Sequence, residues 1–156
     1  RNQFTPLDKT LSRFIWAIIL AYEKKSKFKQ LQKAKNNGLF ILCDRYPQFK
    51  VMNFNDGPLL SEYLSNKNFI IRKIAKWEFS IYKLSEIYPP DVVIRLKISD
   101  EVAFERKPDM PIDVIRKKNN AIKKISYGEK TKVYEIDTSE NIDSVLIKIK
   151  NILWGL

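Results

Sequence analysis

Histidine is absent from the 156 residues. That removes imidazole general bases, Ser-His-Asp triads and His-ligated metals together. A single cysteine, Cys43, leaves no internal disulfide and no thiolate-rich zinc site, so a reducing cytoplasmic location is expected. Only 4 glycines are present, which excludes collagen-like, Gly-rich and low-complexity classes. Long apolar runs are also missing. The longest, Phe14 to Tyr22, has nine residues and ends in Glu-Lys-Lys, well short of a bilayer span. The N-terminus has no signal-peptide layout and no initiator Met. What remains, 44% hydrophobic and 30% charged residues, is an ordinary globular balance, expected to form a single α/β domain over residues 1–156 with one core.

The formal charge is +11. Lys (22), Ile (20) and Asn (11) make up 53 of the 156 residues, a bias that AT-rich coding produces without selection for binding. Position is more informative than the total. Residues 23–50 carry a net +6 and residues 105–132 a net +5, so two separated segments hold the whole excess. Such a pair suits an anionic ligand gripped from two sides, although charge runs also serve simply as solvated helix faces.

Thr5-Pro6-Leu7-Asp8 reads as a helix start, and apolar residues recur at helical spacing from Leu11 to Leu31 before Asn37-Gly38 offers a C-terminal cap. Leu39 to Cys43 is a short unbroken apolar run, the pattern of a strand buried on both faces. A short helix is expected near Leu59–Leu64 and a longer one from Phe69 to Tyr88, closed by Pro89-Pro90. Asp91 to Ile98 is the second strand, and Ser99 starts a helix that should break at Lys107-Pro108. Another helix spans about Pro111 to Ser126. Lys132 to Asp137 is the third strand, with Thr138-Ser139 capping a last helix over Ile142–Trp154. Strands alternating with helical crossovers imply an α/β fold, a three-layer parallel sheet with flanking helices.

Ligands of open parallel sheets bind at the carboxyl ends of the strands. Asp44-Arg45 follows the first strand, and a carboxylate beside a guanidinium can hold a hydrated cation and a phosphate together. A structural salt bridge or an Asx turn is the plainer reading. Glu105 to Lys118 forms the second constellation, with Arg106 ending one helix, Arg116 inside the next, and prolines making the corner. Residues 105–127 would then be a basic, lid-like helical hairpin able to close over a polyphosphate, or else a solvated Lys-rich helix.

These pieces, in this order, resemble a known family. LFILCDRYPQ (39–48), NDGPLL (55–60), PPDVVIRLKISDEVAFERKP (89–108) and KVYEIDTSENIDSVLIKI (132–149) are similar to the C-terminal two-thirds of thymidylate kinase-like P-loop nucleotide kinases. The resemblance implies ATP and Mg2+ as cofactors, with a nucleotide donor and a small phosphorylatable acceptor such as a nucleoside monophosphate. It implies Asp44 near the magnesium and the transferred group, and Arg45 on the acceptor phosphate. Tyr46 and Gln48 become candidates for acceptor contacts. Arg106 would border the lid and lie against the base side of the donor nucleotide, while Arg116, with Lys107 and Lys117 nearby, would supply lid cations to the transferring phosphates. Phosphoryl transfer asks for positioning and charge, which a chain without histidine can supply.

Two features depart from the family pattern. No G-x-x-x-x-G-K-[ST] phosphate loop occurs in the chain. With the family's strand order 2-3-1-4-5, the strand between the first and second strands here is not supplied, which leads to the expectation that residues before Arg1 complete the sheet. The segment after Asp44-Arg45-Tyr46 also lacks the family's acceptor-reading residues, so the acceptor's identity is open. A non-catalytic basic module binding nucleic acid or another polyanion is the alternative. No membrane partner is expected, and a homodimer is left open.

Overall fold

Helix α1 (Pro6–Asn36) is the longest element of the computed structural model, which describes residues 6–54 and 56–155. Thr5, expected to open this helix, lies outside the described residues. Ala17, Ala21, Lys24 and Phe28 recur every three or four positions and form its buried face. The end of α1 is set by a six-residue cap: Leu39 N–H donates to the Ala34 carbonyl and Gly38 N–H to that of Lys35. Gly38 takes φ +69°, as the sequence led one to expect of Asn37-Gly38.

The chain forms two compact units, the first ending at Tyr88 and the second beginning at Pro89. In the first unit, α1 packs on α2 (Phe69–Tyr82) through a core of Ala17, Leu60 and Ala75, flanked by Phe14, Tyr63 and Ile74. The alanines let the helices approach closely while Leu60 fills the gap, a burial that stabilises by about 2 kcal/mol. Asn68 caps α2, accepting from the Ile70 and Ile71 amides. The expected helix over Phe69–Tyr88 is interrupted at Lys83 and resumes as α3 (Leu84–Ile87). The helix expected near Leu59–Leu64 is a single 3-10 turn, Ser61–Tyr63.

One expectation fails here. Leu39 to Cys43 is not a buried strand but an unpaired segment, with Phe40 71% and Leu42 80% exposed. Apolar character makes a segment suited to a sheet interior, but a strand exists only through a ladder, and no strand among the described residues lies beside this one.

The second unit holds the sheet. β1 (Val92–Lys97) and β2 (Lys132–Asp137) pair in parallel, in register from Val92 opposite Lys132 to Lys97 opposite Asp137. The crossover runs through α4 (Asp100–Arg106) and α5 (Ile112–Lys124), and α6 (Ile142–Trp154) follows β2. Ile115, Ala121, Ile125, Ile136 and Val145 are buried. Ser99 caps α4 as expected, accepting from the Val102 amide. The last helix is capped by Asn141, which accepts from Ser144 N–H, and not by Thr138-Ser139. Thr138 is instead drawn to β1, its hydroxyl and amide both donating to the Lys97 carbonyl. The architecture is therefore mixed α/β with a two-stranded parallel sheet among the described residues, smaller than the expected three-layer sheet. No helix among them is long and apolar enough to cross a membrane.

Candidate functional site

Asp44, Arg45, Tyr46 and Gln48 belong to the first unit, whereas Arg106, Lys107, Arg116 and Lys117 belong to the second. Asp44 and Arg45 sit on a bend, exposed, and neither has a hydrogen bond or ion pair with another described residue. The salt bridge and the Asx turn weighed for this pair are thus both absent among the described residues. The following side chains hold the bend in place. The Tyr46 hydroxyl donates to the Tyr88 carbonyl, and its ring meets the edge of Phe28 with centroids 5.9 Å apart.

Gln48 serves the fold. It is 1% exposed; its Nε2 donates to the carbonyls of Val51 (2.7 Å) and Phe54 (2.8 Å), and its Oε1 accepts from Val51 N–H (2.8 Å). The amide braces a loop that would otherwise bury unpaired backbone groups. Gly57 closes the same loop, since a Cβ there would stand 2.1 Å from the Val51 carbonyl oxygen and 2.7 Å from Gln48 Nε2.

Two buried charges behind this bend were not singled out from the sequence. Lys24, on the inner face of α1, forms an ion pair with Asp56. Glu78, on α2, is fully buried and accepts from the backbone amides of Leu59 and Leu60, at 2.8 Å each. Burial pushes the Glu78 carboxyl above the usual range, while the two amides and the nearby Arg13 pull it down. The signal for Glu78 was its spacing: three residues after Ala75 and three and four before Ile81 and Tyr82, all buried.

In the second unit, residues 105–127 take in the end of α4, a turn and α5. Arg106 ends α4, and Lys107 closes it with its amide donating to the carbonyls of Ala103 and Phe104. Arg106, Lys107 and Lys117 are exposed, with no ion pair among the described residues. Arg116 differs. Its Nε lies 3.5 Å from Asp100 Oδ2 and its Nη1 3.9 Å from Asp113 Oδ1. Asp100 also accepts from Asn119 Nδ2 at 2.7 Å. Arg116 is thereby tied to the first residue of α4 while Arg106 is its last, about 9 Å apart along the helix axis. At the carboxyl ends of the strands, Asp137 accepts from Ser139, which holds its carboxyl below the usual range. Glu135 is likewise lowered, by Lys97 and then Arg95.

The only metal-binding candidate named from the sequence is Asp44. No group of three or more Cys, Asp or Glu side chains among the described residues could hold an ion. A lone carboxylate fits magnesium, which keeps several waters and takes its remaining ligands from substrate phosphates.

No family model matches the chain. No solved structure matches it either. Among curated proteins it is 31% identical over 152 residues to the uncharacterized ATP-binding protein YghR of Escherichia coli K12, a match covering 94% of this chain and 59% of that protein. The YghR of Escherichia coli O6:H1 strain CFT073 gives the same figures. The uncharacterized ATP-binding protein YghS of Escherichia coli K12 is 28% identical over 129 residues, covering 82% of this chain and 54% of its own length. The chain thus spans between 54% and 59% of the length of these relatives, and it is a distant homologue of proteins named for binding ATP.

Proposed function

We propose that this chain carries part of the machinery of an ATP-dependent phosphotransferase of the thymidylate kinase-like type, acting on a nucleoside monophosphate or a related small acceptor. The observation that carries the reading is Asp44 beside Arg45, both exposed and free of partners among the described residues, in a sequence whose distant homologues are named ATP-binding proteins. A carboxylate and a guanidinium that are not spent on each other are available to a cation and a phosphate.

When bound, ATP with magnesium supplies the phosphoryl group and neutralises its charge. In transfer, a bond forms between an acceptor oxygen and the γ-phosphorus as the bond to the bridging oxygen breaks and ADP leaves. Asp44 would hold the hydrated cation through its carboxylate. Arg45 fixes the acceptor phosphate through two parallel N–H donors, and the Tyr46–Tyr88 bond and the Gln48-braced loop keep that arginine where the acceptor arrives. Arg106, Lys107 and Lys117 are cations available to the donor phosphates. Arg116, paired at rest with Asp100 and Asp113, is a further cation of the same hairpin.

The test is calorimetric titration of the chain with ATP, with and without magnesium, followed by transfer from γ-labelled ATP to a panel of phosphate esters. Saturable, magnesium-dependent binding is expected, and Asp44→Ala or Arg45→Ala should lower transfer on the order of 10²–10³-fold. Absence of ATP binding, together with nucleic-acid affinity falling steeply with salt, would replace this reading with the basic binding module.

A further inference from the structure

We propose that the exposed apolar surface shared by α1 and α2 is a dimer interface, on which a second copy of this chain packs with its α1 antiparallel to the first. The inference is independent of the roles given to Asp44 and Arg45. Leu11, Ile15, Ile18 and Tyr22 recur along α1 at spacings of four, three and four, the seam spacing of a two-stranded coiled coil. They lie about a third of a turn away from the face, Ala17 to Phe28, that α1 buries within its own unit. Leu11, Ile15, Ile19 and Tyr22 on α1, with Phe69 and Ile70 at the start of α2, are between 51% and 67% exposed. Large side chains exposed to that degree present roughly 600 Å² together. That is the upper end of what a monomer leaves open, and most of the about 800 Å² that each partner gives to a stable interface.

The two helices share a groove of about 540 Å³, lined by Ile18 and Tyr22 of α1 and by Phe69, Ile70, Ile74 and Trp77 of α2. Lys73 is the charged residue among its lining, and its ammonium lies 5.9 Å from the centroid of the Phe69 ring. The Tyr22 and Trp77 rings are 5.0 Å apart, so both are in place ahead of any docking. Such a groove receives side chains from a facing helix, knob into hole. Burial of apolar surface carries no sign, so an apolar patch is complementary to itself, as a two-fold interface requires. Charge then sets the direction. Beyond Tyr22 the same stripe of α1 continues as Lys25, Lys29 and Lys33, all exposed. Parallel pairing would set these lysines against their counterparts, like charge on like. An antiparallel crossing over residues 11–22 sends the two sets to opposite ends. A different protein matched to the whole stripe would need an acidic half after its apolar one; a second copy needs only the apolar half.

The test is sedimentation equilibrium of the 156-residue chain. A reversible monomer–dimer equilibrium is expected, no weaker in about 1 M than in about 0.1 M sodium chloride, because apolar contacts are not screened. Ile15→Ala combined with Ile19→Ala should raise the dissociation constant at least tenfold while circular dichroism shows the same helix content, since both positions are exposed and alanine favours the helix. Phe69→Ala, on α2, should weaken the dimer in the same way. Direction is read by mild oxidation in a Cys43→Ser background. A Leu11→Cys chain mixed with a Tyr22→Cys chain should form the mixed disulfide, and neither chain should cross-link to itself. A chain that stays monomeric at every concentration leaves the surface to another occupant and overturns the inference. Association that salt weakens, or that Phe40→Lys abolishes and the two alanines do not, overturns it as well. Self-cross-linking of Leu11→Cys or Tyr22→Cys overturns the antiparallel arrangement.

Discussion

Replacing Glu78 with alanine should unfold a measurable part of the first unit, and the structure gives the size. The carboxylate is fully buried and accepts from two backbone amides, those of Leu59 and Leu60, at 2.8 Å each. Truncation leaves both N–H groups buried without an acceptor, at roughly 1–3 kcal/mol apiece. Relief of burying an ionised carboxyl returns part of that, so the net loss should be about 3 kcal/mol. The damage is local, because Leu60, next to the freed amides, is in the core with Ala17 and Ala75. Urea unfolding followed by tryptophan emission reports on this unit. Trp16 and Trp77 lie in it, while Trp154 of the second unit is already 87% exposed and contributes an almost constant background. The midpoint should fall with the slope unchanged, and Glu78→Gln, which keeps one acceptor but turns a donor toward the other amide, should fall between wild type and alanine. A loss below about 0.5 kcal/mol would refute the reasoning, since it would mean that the two amides are not desolvated.

Gly57→Ala should destabilise the same unit by about 2 kcal/mol or more, because the new Cβ meets the Val51 backbone carbonyl at 2.1 Å; a thermal melt checks it. Lys24→Met should cost about 2 kcal/mol by leaving Asp56 without its cation, whereas removing both charges together should cost less than removing either, a comparison made by a double-mutant cycle. Asp100→Ala releases Arg116 and Asn119, and should lower second-unit stability by about 1 kcal/mol and reduce amide protection at the start of α4. In acid, Glu23, Glu135 and Asp137, all held low, contribute fully above their ordinary values of 4.5, 4.5 and 3.8 and lose that contribution as pH falls through their lowered ones. Glu78 runs the other way: its contribution is present below 4.5 and is lost as pH rises through its raised value. Urea midpoints between pH 3 and 6 should therefore show a shallower acid limb in Glu135→Gln, and an unchanged limb would contradict the assignment.

Local signals in the sequence carried most of the elements. The end of α1 at Asn37-Gly38, the Ser99 cap and the strands Val92–Lys97 and Lys132–Asp137 depend on a few neighbouring residues, and those residues are enough to specify them. Leu39 to Cys43 shows the limit. Its composition states a preference for a sheet interior, but whether a ladder forms depends on what stands alongside, which no local pattern encodes. The structural bonds of Gln48 and Glu78 were hidden for the opposite reason. Polar residues are normally read as surface or site, and here their polar atoms hold backbone groups several residues or an element away. Asp44 and Arg45 were legible as a pair. That Arg116 rests on Asp100 was not, because two residues sixteen positions apart meet only once α4 has folded back on α5.

The exposed Leu39-Phe40-Ile41-Leu42-Cys43 stretch also bears on how the chain behaves in bulk. Five consecutive apolar residues without a proline or a charge are a nucleus for cross-β aggregation, and Gly38 on one side with Asp44-Arg45 on the other are the only interruptions. Expression at high level should therefore drive material into inclusion bodies, and solubility should improve most from a single lysine placed at Phe40 or Leu42.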